Sequence, residues 1–262
     1  MERSPDTNRA VENPNPFARW MDGGPTYIFV FARGLGHSEG WRVEVKILSL
    51  HCGMPREVVW NGMKVTTSIN KEPVEGRVAL RWLNLDGDRQ SDLSVHGGKH
   101  KAVYCYPVAH YEYWRAELPG RALPPGSFGE NFTIDSPLED AVHVGDRFSV
   151  GSAEVVVTQP RLPCYKLGIR FGWDGMVKRF LKSGRTGYYL AVLREGDVGA
   201  GDEVSVVKMD SEAFPISEIT RLYVTKELDE KDVQQMRRTL TLEALPESWK
   251  EYFEEKLNRA GL

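Results

Sequence analysis

Residues 142–160 read VHVGDRFSVGSAEVVVTQP, and residues 198–207 return to the same theme as VGAGDEVSVV. In each, a Gly-Asp pair stands directly before a run of branched and small residues. Glycine permits a tight turn, and aspartate can bond the backbone N–H groups ahead of it, so both pairs read as entries to strands and not as metal ligands. Between them, SAEVVVTQP is the hairpin partner of the first run and delivers the chain to the segment that follows Pro160.

Working outward, the pattern stays short and β-like. VEVKILSL (43–50), KVTTSI (64–69), VEGRVALRWLNLDGD (74–88) and KAVYCY (101–106) are separated by Gly/Asp turns. Strands this short and close predict a mainly β fold, a barrel or strongly bent antiparallel sheet, and not a dinucleotide-binding doubly wound sheet. Two helices lie on its periphery. Pro107 opens one that carries Val108, Tyr111, Trp114 and Leu118 and stops at Pro119-Gly120. The other, DGMVKRFLKSG (174–184), is capped by Asp174 and ended by Gly184.

After Met209 the texture turns helical. Ser217 is the expected cap of the first helix and Asp229 of the second, and the third carries Trp249, Tyr252, Phe253 and Leu257 on one face. Helices this short do not stand alone, so they should pack together and against the barrel. The expected organisation is an N-terminal extension over 1–40, a β-barrel domain over 41–211 and a three-helix domain over 212–262.

The balance of 34 basic and 37 acidic residues in 262, a net charge of -3, includes no long Lys/Arg block and so no footprint for nucleic acid. No apolar run approaches the ~20 residues of a membrane helix, and no signal-like segment is present, so the expected location is cytoplasmic. The three cysteines, Cys52, Cys105 and Cys164, are far apart without a CxxC pair, which disfavours a disulfide framework or a four-cysteine zinc site.

Four segments join glycines to polar or basic residues beside strand-like runs, as anion sites at a barrel mouth do: VHGGKHKAVYCY (95–106), PPGSFGENFTI (124–134), QPRLPCYKLGIRFG (159–172) and KSGRTGYYL (182–190). In the first, Gly97-Gly98 between His96 and His100 breaks the helical zinc geometry, while Lys99 or Lys101 offers a point charge for phosphate. In the second, Glu130 and Asn131 could read the edge of a heterocycle or equally cap a local turn. In the third, Pro160 and Pro163 pre-set the backbone at Cys164, and Arg161, Lys166 and Arg170 stand near it. That thiol could be a nucleophile or a ligand to a soft metal, whereas Cys105 in its apolar run reads as buried packing. Arg185 in the fourth could meet an anion or sit as an ordinary surface arginine.

DRQSDLSVHGGKHKAVYCYP, GSFGENFT and QPRLPCYKLGIRFG, in this order and spacing, resemble the MOSC domain, named for the C-terminal domain of molybdenum cofactor sulfurases. With the helical tail the chain resembles the YiiM-type subgroup, whose members resemble 6-N-hydroxylaminopurine resistance proteins. The resemblance implies a barrel similar to the C-terminal domain of pyruvate kinase. It implies molybdenum cofactor, a pterin dithiolene carrying a phosphate, with Cys164 as ligand to molybdenum. The expected cofactor-binding set is His96, Gly97, Gly98, Lys99, Lys101, Glu130, Asn131, Arg161, Cys164 and Arg185. Gly97 and Gly98 with Lys99 or Lys101 would meet the phosphate, and Asn131 with Arg161 the pterin.

The activity implied is reduction of N-hydroxylated compounds to amines. Residues 1–40 are too short for the pyridoxal phosphate domain of a sulfurase, and no flavin domain or iron-sulfur cysteine set is evident. The expected partners are therefore a small N-hydroxylated substrate and a separate reductase as electron donor, with a homodimer through the helical tail left open. A non-catalytic cofactor carrier is the alternative, and a barrel that has lost the metal is a third reading, against which the intact Cys164 speaks.

Overall fold

The computed structural model describes residues 45–92, 97–135, 138–212 and 214–261. The extension expected over 1–40 lies outside the described residues. In chain order the elements are β1 (Val45–Cys52), β2 (Arg56–Trp60), β3 (Met63–Thr67), β4 (Glu72–Pro73), β5 (Arg77–Leu80), β6 (Val103–Pro107), α1 (Ala109–Glu117), β7 (Phe132–Ile134), β8 (His143–Val144), β9 (Arg147–Val150) and β10 (Ala153–Pro160). They continue with α2 (Tyr165–Phe171), α3 (Gly175–Ser183), β11 (Tyr188–Arg194), β12 (Gly196–Gly199), β13 (Glu203–Lys208), β14 (Phe214–Pro215), α4 (Ile216–Val224), α5 (Glu230–Thr239) and α6 (Glu247–Arg259).

Seven strands close on themselves in the order β13-β9-β10-β11-β6-β7-β1 and back to β13. All neighbours are antiparallel except β6 and β7, so the barrel is mixed. Closure removes the unpaired edges an open sheet would present. The two Gly-Asp turns do what their sequence suggests. Gly145 and Gly201 stand at φ 93° and 92°. The Asp146 carboxylate accepts from the N–H groups of His143 (2.9 Å) and Asp210 (2.8 Å), and that of Asp202 from Gly199 (2.9 Å). The strands they open, β9 and β13, pair with each other, with Ser149 opposite Ser205.

β6 is buried on both faces, which explains the unbroken VYCY run. Val103 and Cys105 face an aliphatic interior with Ile47, Leu50, Val155, Val157 and Leu190. That core continues into Ile219, Leu222, Met236, Trp249 and Phe253 of the C-terminal helices, so barrel and three-helix bundle share it. Burial of each such side chain contributes about 1.5–3 kcal/mol. Tyr104 and Tyr106 point the other way, into an aromatic cluster with Trp114, Phe128, Phe171 and Phe180 that pins α1, α2 and α3. There the Trp114 and Phe180 rings stack at 5.7 Å, and the Trp114 indole N–H donates to the Tyr106 hydroxyl at 2.7 Å.

Three local expectations change, and one helix was not expected. Pro107 does not open α1: it closes β6, paired with Ile134, where its missing N–H costs nothing, and Val108 is the N-cap. Ser217 is not a cap, because its N–H donates to the Glu139 carbonyl at 2.8 Å and the extended Pro215 takes the cap position. Asp174 stands at the predicted cap of α3, but its side chain makes no cap bond, whereas Asp229 forms a full capping box with Asp232. The short helix α2 directly after Cys164 was not read from the sequence at all.

Candidate functional site

A cleft opens at the barrel mouth where five pieces of chain converge: the end of β3 with Ser68 to Lys71, the loop holding Asp88 to Ser91, the Lys101–Tyr104 entry to β6, the Gly129–Asn131 turn, and Arg161 to Lys166 beside Tyr189 of β11. Cys164 sits at the joint between β10 and α2. Its φ of -112° and ψ of 174° are extended, it is the residue before the first helical turn, and its carbonyl accepts from Leu167 N–H at 2.9 Å. Pro163 disfavours helix at the residue before it, so the helix begins only afterwards. Leu167 and Phe171 then bury α2 in the aromatic cluster and hold the cysteine, itself half-buried, at the cleft wall.

Four cations line the cleft, Lys71, Lys101, Arg161 and Lys166, against one carboxylate, Asp88. Lys71 and Asp88 form a buried ion pair. Asp88 also accepts from Gly53 N–H at 2.8 Å and from the Asn131 amide at 2.9 Å, and Lys166 donates to Ser91 at 2.7 Å. Arg161 is 5% exposed, and its guanidinium lies over the rings of Tyr104 (5.3 Å) and Phe180 (5.0 Å). Its Nη1 finds no hydrogen-bond partner among the described residues, and neither does the hydroxyl of Ser68 in the same wall. A buried donor without a partner is costly, and an anion in the cleft would satisfy it.

Burial holds the other two thiols in their protonated form. Cys52 is pushed up to about 11, by desolvation first and then by Asp88, and Cys105 is raised by desolvation still more strongly. The Tyr189 hydroxyl is also raised by burial, with Arg161 opposing, while burial lowers Lys101.

The structure brings Cys164, Lys101, Arg161 and Asn131 of the predicted set to this cleft. Asn131 arrives already engaged, donating to the His51 carbonyl (3.1 Å) and Asp88 (2.9 Å) and accepting from Tyr104 N–H (3.1 Å). Glu130 lies behind the wall, fully buried. Its carboxylate accepts from the N–H groups of Gly126 (2.8 Å) and Phe128 (3.0 Å) and from the hydroxyls of Thr133 (3.1 Å) and Tyr111. The turn-capping reading of that segment describes it. Arg185 is elsewhere, stacked 4.0 Å over Tyr113 and donating to the Ser183 carbonyl. Gly97, Gly98 and Lys99 do not line the cleft; Gly98, at φ 90°, enters the tight turn Lys99–Lys101 that carries Lys101 to the wall. His96 lies outside the described residues.

Sequence reasoning missed Lys71, Asp88, Ser91, Tyr104 and Tyr189. Asp88 and Ser91 stood inside the motif DRQSDLSVHGG and Tyr104 in its sequel, a signal read for its glycines, lysines and histidines. Lys71 carries no sequence signal. A second chamber meets the first at Lys101, Leu162, Cys164 and Tyr189 and is walled on its far side by Tyr223, Ser248, Trp249 and Tyr252. Its cavity volume is about 300 Å³, against about 100 Å³ for the cationic one. Among the described residues no group of three or more His, Cys, Asp or Glu side chains could hold a metal. No helix among the described residues is long and apolar enough to cross a membrane.

Comparison with known proteins agrees with this architecture. The MOSC domain model matches residues 92–205, and the model described as YiiM-like, 3-alpha helix domain matches residues 215–260. The chain is 38% identical over 213 residues to the uncharacterized protein YflK of Bacillus subtilis, covering 81% of this chain and 95% of YflK. It is 32% identical over 164 residues to a protein named reductase from Gibberella moniliformis, 62% of this chain but 29% of that longer one. The crystal structure of YiiM from Geobacillus stearothermophilus superposes with a TM-score of 0.68 at 31% identity, over 81% of this chain and 99% of that one. Closed barrel, cysteine-bearing mouth, helical tail and these matches together place the chain in the MOSC domain family, in its YiiM-like subgroup.

Proposed function

We propose that the chain binds molybdenum cofactor and is an oxidoreductase that reduces N-hydroxylated compounds, purine N-hydroxylamines among them, to amines. The observation that carries this reading is the half-buried Cys164 in a cationic cleft beside a buried guanidinium with a partnerless Nη1. One soft donor and a surplus of cations fit a phosphate-bearing chelate whose metal is already held by its own sulfurs. The name reductase borne by a longer relative supports a redox role and an electron source outside the matched segment.

When bound, the cofactor supplies two-electron redox chemistry at molybdenum. Cys164 Sγ would hold the metal, and Arg161 and Lys166 would hold the anionic groups, with Asp88 keeping Lys71 and Asn131 in place. In the net reaction the N–O bond breaks. Two electrons from a separate reductase and two protons convert R–NHOH to the amine and water. Tyr189 and Lys101 line both chambers. Burial keeps the tyrosine proton in place and makes the lysine proton easier to release, so Lys101 is the proton donor of this reading.

The test is purification from a host that makes the cofactor, with molybdenum and released pterin measured beside a Cys164→Ala sample. Both should be present in the first and depleted in the second, and absence of both from the unaltered protein would sink the reading. Loaded protein given a chemically reduced dye and a purine N-hydroxylamine should turn over; full loading without turnover would favour the non-catalytic carrier.

A further inference from the structure

We infer that the chamber between barrel and helical bundle is the binding site for the aromatic ring of the substrate, so that the three-helix domain sets substrate specificity. This rests on the reductase reading and adds where the ring is held. The two chambers differ in chemistry. The first carries four cations and a carboxylate; the second has Lys101, at the junction, as its one charged lining residue among those described. An uncharged, flat occupant suits it.

Its far wall is a set of rings held from outside. Tyr223 meets Trp249 edge-on at 5.6 Å and lies 5.0 Å from Tyr252. The Trp249 indole N–H donates to Gln159 Oε1 at 2.7 Å, and Gln159 Nε2 donates to the His100 carbonyl at 3.3 Å, so β10 fixes the indole plane. Tyr252 Oη donates to the Tyr223 carbonyl at 3.3 Å, which ties α6 to α4. Rings oriented in advance lose little freedom when a ligand stacks on them.

Size and position agree with chemistry. A cavity of roughly 150 Å³ accepts benzene, and this one, at about 300 Å³, has room for a bicyclic base. Because the chambers share Cys164, Lys101 and Tyr189, a ring seated here presents one edge to that junction, which is where an exocyclic N-hydroxyl group must lie.

Ser248 is exposed at the rim, so Ser248→Trp fills the chamber without removing packing. The full chain, with and without this change, is titrated calorimetrically with 6-N-hydroxylaminopurine, and molybdenum and pterin are measured in both. The expected result is binding weakened by about tenfold or more, the worth of a lost stacking contact, with cofactor content and melting temperature unchanged. Tyr252→Ala, which opens the wall instead, should lower kcat/KM for the purine relative to N-cyclohexylhydroxylamine by about tenfold. Unaltered purine affinity in Ser248→Trp, or an unaltered ratio in Tyr252→Ala, overturns the assignment. Loss of molybdenum or pterin from Ser248→Trp also overturns it, by giving the chamber to the cofactor. If the unaltered protein carries no cofactor, the reductase reading fails, while purine binding by the full chain still decides what the chamber holds.

Discussion

The GSFGENFT turn and the PRLPCYK segment look alike in sequence: each sets a polar or ionisable pair in a backbone constrained by glycine or proline. Their side chains meet opposite fates. Glu130 is fully buried and accepts four hydrogen bonds, and Asn131 makes three. Arg161 is nearly as buried, yet its Nη1 has no partner among the described residues, and Cys164 stands half-buried at the junction of two chambers. The first segment spends its polar capacity on holding the mouth open. The second keeps part of it in reserve, and a buried donor left unsatisfied in the cleft wall is a candidate contact for a ligand.

The most severe way to break this contrast is Glu130→Ala. It strands two backbone N–H groups and two hydroxyls, and the expected loss is about 3–5 kcal/mol, read from denaturant unfolding. A variant of native stability would show that the turn does not depend on its carboxylate. Arg161→Met is the counterpart. It removes a buried charge but leaves aliphatic contact with Tyr104 and Phe180, so stability should stay within about 1 kcal/mol or rise, while molybdenum and pterin content falls about tenfold or more. Destabilisation as large as that of Glu130→Ala would erase the distinction.

The contrast is sharpened further by pH. Burial lowers the pKa of Lys101, and the proposed donor is the protonated form. Turnover should therefore be complete on the acid side and fall as pH rises through a value below the ordinary lysine range. Lys101→Arg keeps the charge but does not release its proton, so kcat should fall and the alkaline limb disappear from what remains; full kcat, or a limb left in place, would assign the proton to another group. The smallest effect is expected at Arg185, whose stacking on Tyr113 is worth about 0.5–1 kcal/mol. Arg185→Ala should keep its cofactor content unchanged, and depletion on assay would return this residue to the site.

Local patterns in the chain were enough for a mainly β fold, a barrel or a strongly bent antiparallel sheet, and the resemblance chose the barrel. The repeated Gly-Asp turns, the hairpin around Gly151-Ser152 and the doubly apolar VYCY strand are each legible because a turn conformation or a buried face is imposed on consecutive residues. So was the suspicion attached to Cys164, since proline constrains its own neighbours. Helix α2 stayed hidden because its hold on the fold, Leu167 and Phe171 in an aromatic cluster, comes from Tyr104, Tyr106, Trp114 and Phe128, distant in sequence.

The site divides along the same line. Residue type nominated Glu130, Arg161 and Arg185 together, since a carboxylate or guanidinium looks the same in a string whatever it touches. Only the folded chain separated them, by supplying four donors to Glu130, the Tyr113 ring to Arg185, and two ring faces but no acceptor for Nη1 to Arg161. Lys71 and the rings of α4 and α6 entered the site from segments with no motif at all. Sequence determined which strands could close and which thiol stood apart. Tertiary structure decided which polar groups were left to bind, because hydrogen-bond satisfaction is a property of neighbours in space.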